Sequence, residues 1–382
     1  MMRFMCVATL LLMMNASAFA QSVPPSVDEH TVVYYEPGRF GGWPANYGMW
    51  IWGEEILVGY SKGWYQDLGD RHHIDRERPE EFWHARSLDG GKTWTHEHPA
   101  ENGDIIPEGP ALHGTETPGL VIPPTIDCPG GIDFSHPDFA LTFRMNNIQG
   151  GVSRFYYSYD RGKDWEGPYK LPMFGTPGTA ARTDFIVHSR HDATFFITVA
   201  KANGEEGRVI AVRTKDGCKT WEKLGDVGPE PEIGFSIMPS SVQLDDGTLL
   251  TATRRRLEKY RWNDLYRSLD DGKTWHFMNR PVRDAGIGNP PALNKLQDGR
   301  LCITYGFRGE PYSICAVMSD DDGVTWSEPY VLRDDGLAQD VGYVRTVQRD
   351  DGKLLTSYYF CGGGQPGPER YIAVTLWDPG KP

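Results

Sequence analysis

The sequence predicts an all-β protein, a six-bladed β-propeller, on three observations. An octapeptide of the pattern Ser-x-Asp-x-Gly-x-Thr-Trp recurs five times, an Asp-Gly turn interleaves with it, and Gly and Pro make 72 of 382 residues. So much Gly and Pro favours many turns and short strands over long helices.

The octapeptides begin at Ser87, Ser158, Thr214, Ser268 and Ser319 and end on Trp94, Trp165, Trp221, Trp275 and Trp326. Their central aspartates, Asp89, Asp160, Asp216, Asp270 and Asp321, are 71, 56, 54 and 51 residues apart. The third copy is degenerate, with Cys218 in the Gly position. Ser and Asp side chains cap amides inside a tight turn, Gly takes the left-handed conformation, and Trp packs between sheets. Five such units are a structural device, because radial repeats are stabilised by stacking like on like.

The second repeat places Gly247, Gly299 and Gly352 in Asp-Gly turns at steps of 52 and 53 residues. Asp-Gly between apolar alternations marks a hairpin, since the turn needs positive φ. One Gly-turned hairpin and one octapeptide turn per period make a four-stranded blade. Five octapeptides and a last blade after Trp326 give six, and the strand-like runs Thr31–Tyr35 and Tyr371–Trp377 can close the ring by sharing that blade.

The first 20 residues read as a secretory signal: Arg3, then the apolar run Val7–Met14, then Ala18-Phe19-Ala20 at the cleavage position. Residues 21–382 then form a single propeller domain, expected in the medium or the periplasm and as a monomer. The mature chain has a net charge of −14, from −13 for the whole. A net acidic chain without a basic block is a poor nucleic-acid binder. No later stretch approaches the ~20 apolar residues of a membrane helix. Five cysteines remain after residue 20, allowing at most two disulfides, with Cys302 and Cys315 in strand-like runs. No ligand spacing for a metal is met; His72 and His73 with Asp70 and Asp75 read as a polar loop. No nucleotide-binding loop is present, so no organic cofactor is implied.

Five octapeptides on a chain of this length resemble the Asp-box (BNR) repeats of the sialidase/neuraminidase superfamily. The resemblance implies a site at the open face of the ring, with a Tyr nucleophile assisted by a Glu, an Asp acid/base and three Arg that clamp a sugar carboxylate. Tyr343 keeps the family's nine-residue offset to a blade-turn Gly, here Gly352. A neutral phenol approaches an anomeric centre bearing a carboxylate without charge repulsion. Arg254 falls in a family Arg position and Arg308 lies near another. The Glu position falls on Met238, leaving Glu232 as the nearest carboxylate for that role. The first Arg position falls on Gly42, with Arg39 as an unaligned substitute. Asp75, 14 residues before Asp89, takes the acid/base position, with Asp67 and Asp70 as rivals. Trp43, Trp64 and Tyr65 are expected to line the pocket, because sugar faces stack on such rings. Alternation along Leu249–Arg256 points Arg254 and Arg256 to one face and Arg255 to the other.

The resulting expectation is an exo-acting glycoside hydrolase that releases a terminal acidic sugar from a glycan, by attack of Tyr343 with Asp75 as acid/base. Its rivals are a carbohydrate lyase, a hydrolase of another sugar that uses His72 or His73, and a glycan-binding propeller without catalysis.

Overall fold

The computed structural model describes residues 23–69, 71–105, 121, 123–364 and 367–381. The signal read in residues 1–20 and the rival Asp70 lie outside them. The regular secondary structure of the described chain is nearly all strand, arranged as six antiparallel sheets around an axis.

The first strand, β1 (Ser26–Tyr34), belongs to the last blade. Blade 1 holds β2 (Arg39–Gly42), β3 (Met49–Trp52), β4 (Glu55–Trp64), β5 (Glu81–Ser87) and β6 (Thr95–Glu97). Its inner strand is split: β2 pairs with one half of β4 and β3 with the other, with the short helix α1 (Pro44–Tyr47) between them. Blade 2 is β7 (Ala140–Met145), β8 (Ser153–Ser158) and β9 (Glu166–Lys170). Blade 3 is β10 (Phe185–Ser189), β11 (Asp192–Ala200), β12 (Glu206–Thr214) and β13 (Glu222–Val227). Blade 4 is β14 (Phe235–Gln243), β15 (Leu249–Leu257), β16 (Tyr260–Ser268) and β17 (His276–Val282). Blade 5 is β18 (Ala292–Lys295), β19 (Leu301–Phe307), β20 (Tyr312–Ser319) and β21 (Tyr330–Gly336). Blade 6 combines β22 (Gly342–Gln348), β23 (Leu354–Phe360) and β24 (Tyr371–Asp378) with β1, which pairs with β24 as Thr31↔Val374. The two ends of the described chain close the ring.

Each octapeptide forms the turn between the last two strands of its blade, and the local bonds explain its composition. In the fourth-blade copy, Ser268 Oγ donates to Asp270 Oδ1 (2.8 Å) and accepts from Gly272 N (2.9 Å). Asp270 accepts from Thr274 N (2.8 Å) and Thr274 Oγ1 (2.8 Å), and Trp275 Nε1 donates to Gly272 O (2.9 Å). These bonds hold the Asp270 carboxyl down at about 2. The Gly position also faces the preceding blade: a Cβ on Gly162 would lie 2.6 Å from Leu57 Cδ2, and one on Gly91 the same distance from Leu355 Cδ2. Cys218 keeps the turn, donating its N–H to Thr214 Oγ1 (2.8 Å), at a φ of 73° that side chains rarely adopt. The tryptophans pack between sheets, as Trp221 on Phe155 and Trp275 on Phe196. All five described cysteines are free and buried.

In blades 4 and 5, which carry both turn types, the two lie at one end of the ring, because antiparallel strands return every second connection to the same side. The opposite end collects the starts of first strands and the ends of second strands. Tyr343, Arg254 and Arg308 sit there.

Candidate functional site

Three first strands break their ladders at the open face. Trp43 follows β2, Met238 sits at an irregularity in β14, and Tyr343 sits at one in β22. Their φ values are 60°, 53° and 51°. Positive φ on such bulky residues is uncommon, and strain of this kind clusters where side chains must be aimed. All three belong to one apolar cluster beneath the axial opening.

Above this cluster lie two adjoining hollows of about 380 and 300 Å³ that share His72, Arg76, Arg254 and Ile287. Arg308 and Asp340 line the first; Trp43, Tyr343, Arg182 and Glu206 line the second. Together they form one axial cavity.

Tyr343 is nearly buried, and its hydroxyl accepts from Arg254 Nη1 at 3.1 Å. Its backbone N–H donates to Asn289 Oδ1 (2.7 Å), which fixes the bulge. Its ring meets His72 edge-on at 6.0 Å, and the Arg308 guanidinium lies 5.3 Å from its centroid.

His72 is half-buried, and its Nδ1 bonds Asp340 Oδ1 at 2.6 Å, leaving Nε2 as the ring nitrogen without a bond among the described residues. Asp340 is a hub: Tyr359 donates to Oδ1 (2.5 Å), the His73 amide donates to Oδ2 (3.1 Å), and Arg308 and Arg370 stand 3.7 and 3.6 Å away. Burial opposes the charge on Asp340, but His72, Arg308 and Arg370 outweigh it and hold the carboxyl well below the usual range. Burial pushes the His72 imidazole below its ordinary value, against the pull of Asp340. His72 is therefore neutral at pH 7, and an imidazole held by an aspartate through one nitrogen offers the other as a base.

The other residues predicted from sequence lie elsewhere. Asp75 accepts from the Glu77 amide (2.9 Å) in its own turn and does not line the cavity; Asp67 does the same for Gly69 (3.1 Å). Glu232 is exposed on the approach to β14 and lies outside the cavity lining. Met238 keeps its Sδ 3.8 Å from Arg254 Nη1, and among the described residues no carboxylate stands within ion-pair distance of that arginine. Arg39 donates to Gly63 O (2.7 Å) and lies 4.1 Å from the Trp64 ring, whose environment also includes Arg78 at 3.2 Å. Trp64 is thus held between cations and does not line the cavity. Tyr65 stacks on His73. The aromatic density of this loop holds the loop itself together, while its polar members His72 and Arg76 reach the cavity. Gly42 leaves no room for an arginine: a Cβ there would lie 2.4 Å from the Phe40 ring.

Arg254 and Arg256 share the cavity face, and Arg255 points away, 4.0 Å from Asp264. The His72–Asp340 pair was not readable in advance, because its members stand 268 residues apart and meet only across the closed ring. Among the described residues no cluster of three or more His, Cys, Asp or Glu could hold a metal, and no helix is long and apolar enough to cross a membrane.

The fold and site define a six-bladed propeller with an arginine-lined pocket at the open end of its axis. The chain belongs to the BNR repeat-like domain family, whose model matches residues 139–356. No curated protein matches the sequence. Solved structures share the fold. A protein of unknown function from Dyadobacter fermentans is similar at 20% identity and TM-score 0.69, over 93% of this chain and 99% of that one. A sialidase from Streptococcus pneumoniae is similar at 12% identity and TM-score 0.59, over 92% and 70%. An α-L-arabinanase from Penicillium chrysogenum, complexed with arabinobiose, is similar at 12% identity and TM-score 0.54, over 92% and 98%.

Proposed function

We propose that the protein is an exported glycoside hydrolase that takes a terminal acidic sugar into the axial cavity and cleaves it from a glycan. One observation carries this reading: the Tyr343 hydroxyl, the Arg254 guanidinium and the His72–Asp340 pair converge in one pocket. Relatives in fold that cleave sialosides and arabinans support a glycan as substrate. Arg254 and Arg308 bind the sugar's carboxylate, since planar guanidiniums match that group. His72 Nε2 takes the phenolic proton as the Tyr343 oxygen bonds the anomeric carbon, and the departing oxygen takes a proton from water in the cavity mouth. The hydroxide left by that water then attacks the anomeric carbon of the glycosyl-tyrosine, and His72 returns its proton to the leaving phenolate. His72 assumes the part of base to Tyr343 for which Glu232 was the expected carboxylate, and the acid's part expected of Asp75 falls to water.

A second reading, β-elimination next to a uronate carboxylate, is favoured by a specific observation: both carboxylates lining the cavity are already paired, Asp340 as above and Glu206 with Arg182 at 3.2 Å. Elimination needs no carboxylic acid. His72 would take the proton beside the carboxylate, Tyr343 would protonate the departing oxygen, and the arginines would neutralise the carboxylate.

Aryl glycosides of acidic sugars and uronate-containing oligosaccharides, assayed in parallel, separate the two. Hydrolysis predicts release of the free sugar with rates that rise steeply as the leaving group becomes more acidic. Elimination predicts a conjugated unsaturated uronate, seen by ultraviolet absorbance. Binding of all these compounds without turnover would leave a glycan-binding propeller and defeat both.

A further inference from the structure

The second hollow extends outward past Arg254 to Arg256 and Arg261, which the proposed reaction does not use. They are cross-strand partners on β15 and β16, so their side chains leave the sheet on the same face. Phe235 has Arg254 at 5.4 Å and Arg256 at 5.8 Å from its ring centroid, which spaces the two guanidiniums. The Arg261 stem lies along Gly288: a Cβ there would come within 3.0 Å of Arg261 Cγ, so the glycine makes the bed for this side chain.

Among the described residues none of Arg254, Arg256 and Arg261 has a carboxylate within ion-pair distance, whereas the neighbouring Arg182 is paired with Glu206. Arg261 instead donates to the Tyr260 carbonyl (2.9 Å) and to that of Glu258. Burial, then the charges of Arg256 and Arg254, pull Arg261 down to about 10. Arg254 Nε is buried without a partner. In a chain of net charge −13, three adjacent arginines without counter-charge form a local inversion of sign. Such a cluster costs folding free energy through mutual repulsion and is relieved by a bound anion.

We propose that Arg256 and Arg261 form a second anion subsite, so that the substrate is a polyanionic oligosaccharide carrying a sulfate or a second carboxylate on the sugar next to the one held by Arg254 and Arg308. The proposal rests on the reading of the axial cavity as a glycan site. It adds that the adjoining sugar is recognised by charge.

The test is binding, measured by titration calorimetry on the full chain with three probes: a chondroitin sulfate tetrasaccharide, the same compound desulfated, and the desulfated compound with its carboxyl groups reduced. Arg256→Ser/Arg261→Ser is expected to lose about tenfold or more in affinity, the scale of one charge-assisted contact. Loss confined to the sulfated probe identifies sulfate as the outer group. A loss that extends to the desulfated probe and vanishes on carboxyl reduction identifies a carboxylate. Arg256→Lys/Arg261→Lys should recover part of the affinity and of its salt dependence. Equal affinities of wild type and the serine variant for every probe, or no binding of any probe to wild type, would overturn the subsite. Binding with the expected pattern but no cleavage of any glycan would defeat the enzymatic reading and leave the subsite standing.

Discussion

The two ends of the propeller obey opposite rules. At the turn end, five octapeptides repeat nearly the same bonds, and each Asp and Ser is satisfied within a few residues of itself. At the open end the repeat is broken: Trp43, Met238 and Tyr343 take positive φ, and Arg254 keeps a buried Nε without a partner. Repetition marks what stabilises the ring, and departure from repetition marks the axial cavity. Stability is local and distributed, while the site draws on several blades at once.

The sharpest way to break this contrast is at Tyr343. Tyr343→Phe should lower kcat by about 10³-fold or more while thermal stability changes little, since only one hydroxyl bond is lost. Retained turnover in a steady-state assay would remove Tyr343 from the chemistry.

His72→Gln should lower kcat by about 10²- to 10⁴-fold, the usual contribution of a positioned base. In the wild type the active form is the neutral imidazole, so activity should rise with pH through a value below the ordinary histidine pKa and level off above it. Asp340→Asn removes the group that supports the protonated imidazole, so this limb should move to lower pH as kcat falls. A pH–rate profile without such a limb would exclude His72 as the base.

Restoring the family arginine by Gly42→Arg should fail to build a third clamp and should destabilise the protein by about 1–3 kcal/mol, because the new Cβ meets the fully buried Phe40 ring. Denaturant unfolding measures this, and an unchanged midpoint would show that the strand can shift.

A comparable effect on stability belongs to the turn end. Ser268→Ala removes the hydroxyl shared by Asp270 and Gly272, at a cost of about 1–3 kcal/mol for the buried amide left without a partner, with kcat unchanged. A larger effect on turnover than on stability would mean that the two ends are coupled.

A further pH signature tests the ring near its axis. Burial raises Asp184 to about 6, although Arg345 stands near and Ser241 donates to it. A carboxyl raised on folding binds its proton more tightly in the folded state. Its contribution to stability is fully present below the ordinary aspartate value, is lost as pH rises toward 6, and is constant above. Asp184→Asn should flatten that slope in urea titrations at several pH values.

How much was legible in the sequence follows from the range of the forces involved. The octapeptides and Asp-Gly turns were readable because their bonds close within about five residues. The six-blade count and the shared last blade followed from spacing alone. Tyr343 and Arg254, singled out by their offsets from those turns, both line the axial cavity. Asp75 was not rejected in advance, because its preference for the Glu77 amide depends on the path of the loop. Trp64 and Tyr65 looked like sugar platforms, but Arg39, Arg78 and His73 cover them, and such pairings leave no periodic trace. His72 was read as part of a polar loop and, with His73, as the catalytic residue of a rival hydrolase; its pairing was hidden, since its partner Asp340 comes from the far side of the ring.

The closing blade also has a meaning in time. Blades 3, 4 and 5 each draw all four strands from one continuous stretch of chain and can form as that stretch becomes available. Blade 6 cannot, because β1 meets β24 through pairs such as Thr31↔Val374, more than 300 residues apart. Until Tyr371–Asp378 arrives, β1 and β23 present two unsatisfied edges, the kind of surface through which incomplete chains associate. Closure is then a single late event that sets the alignment of first and last blades together. It is also the event that brings Tyr343, on the last blade, together with Trp43 and His72, on the first, so the axial cavity is assembled only when the ring is complete.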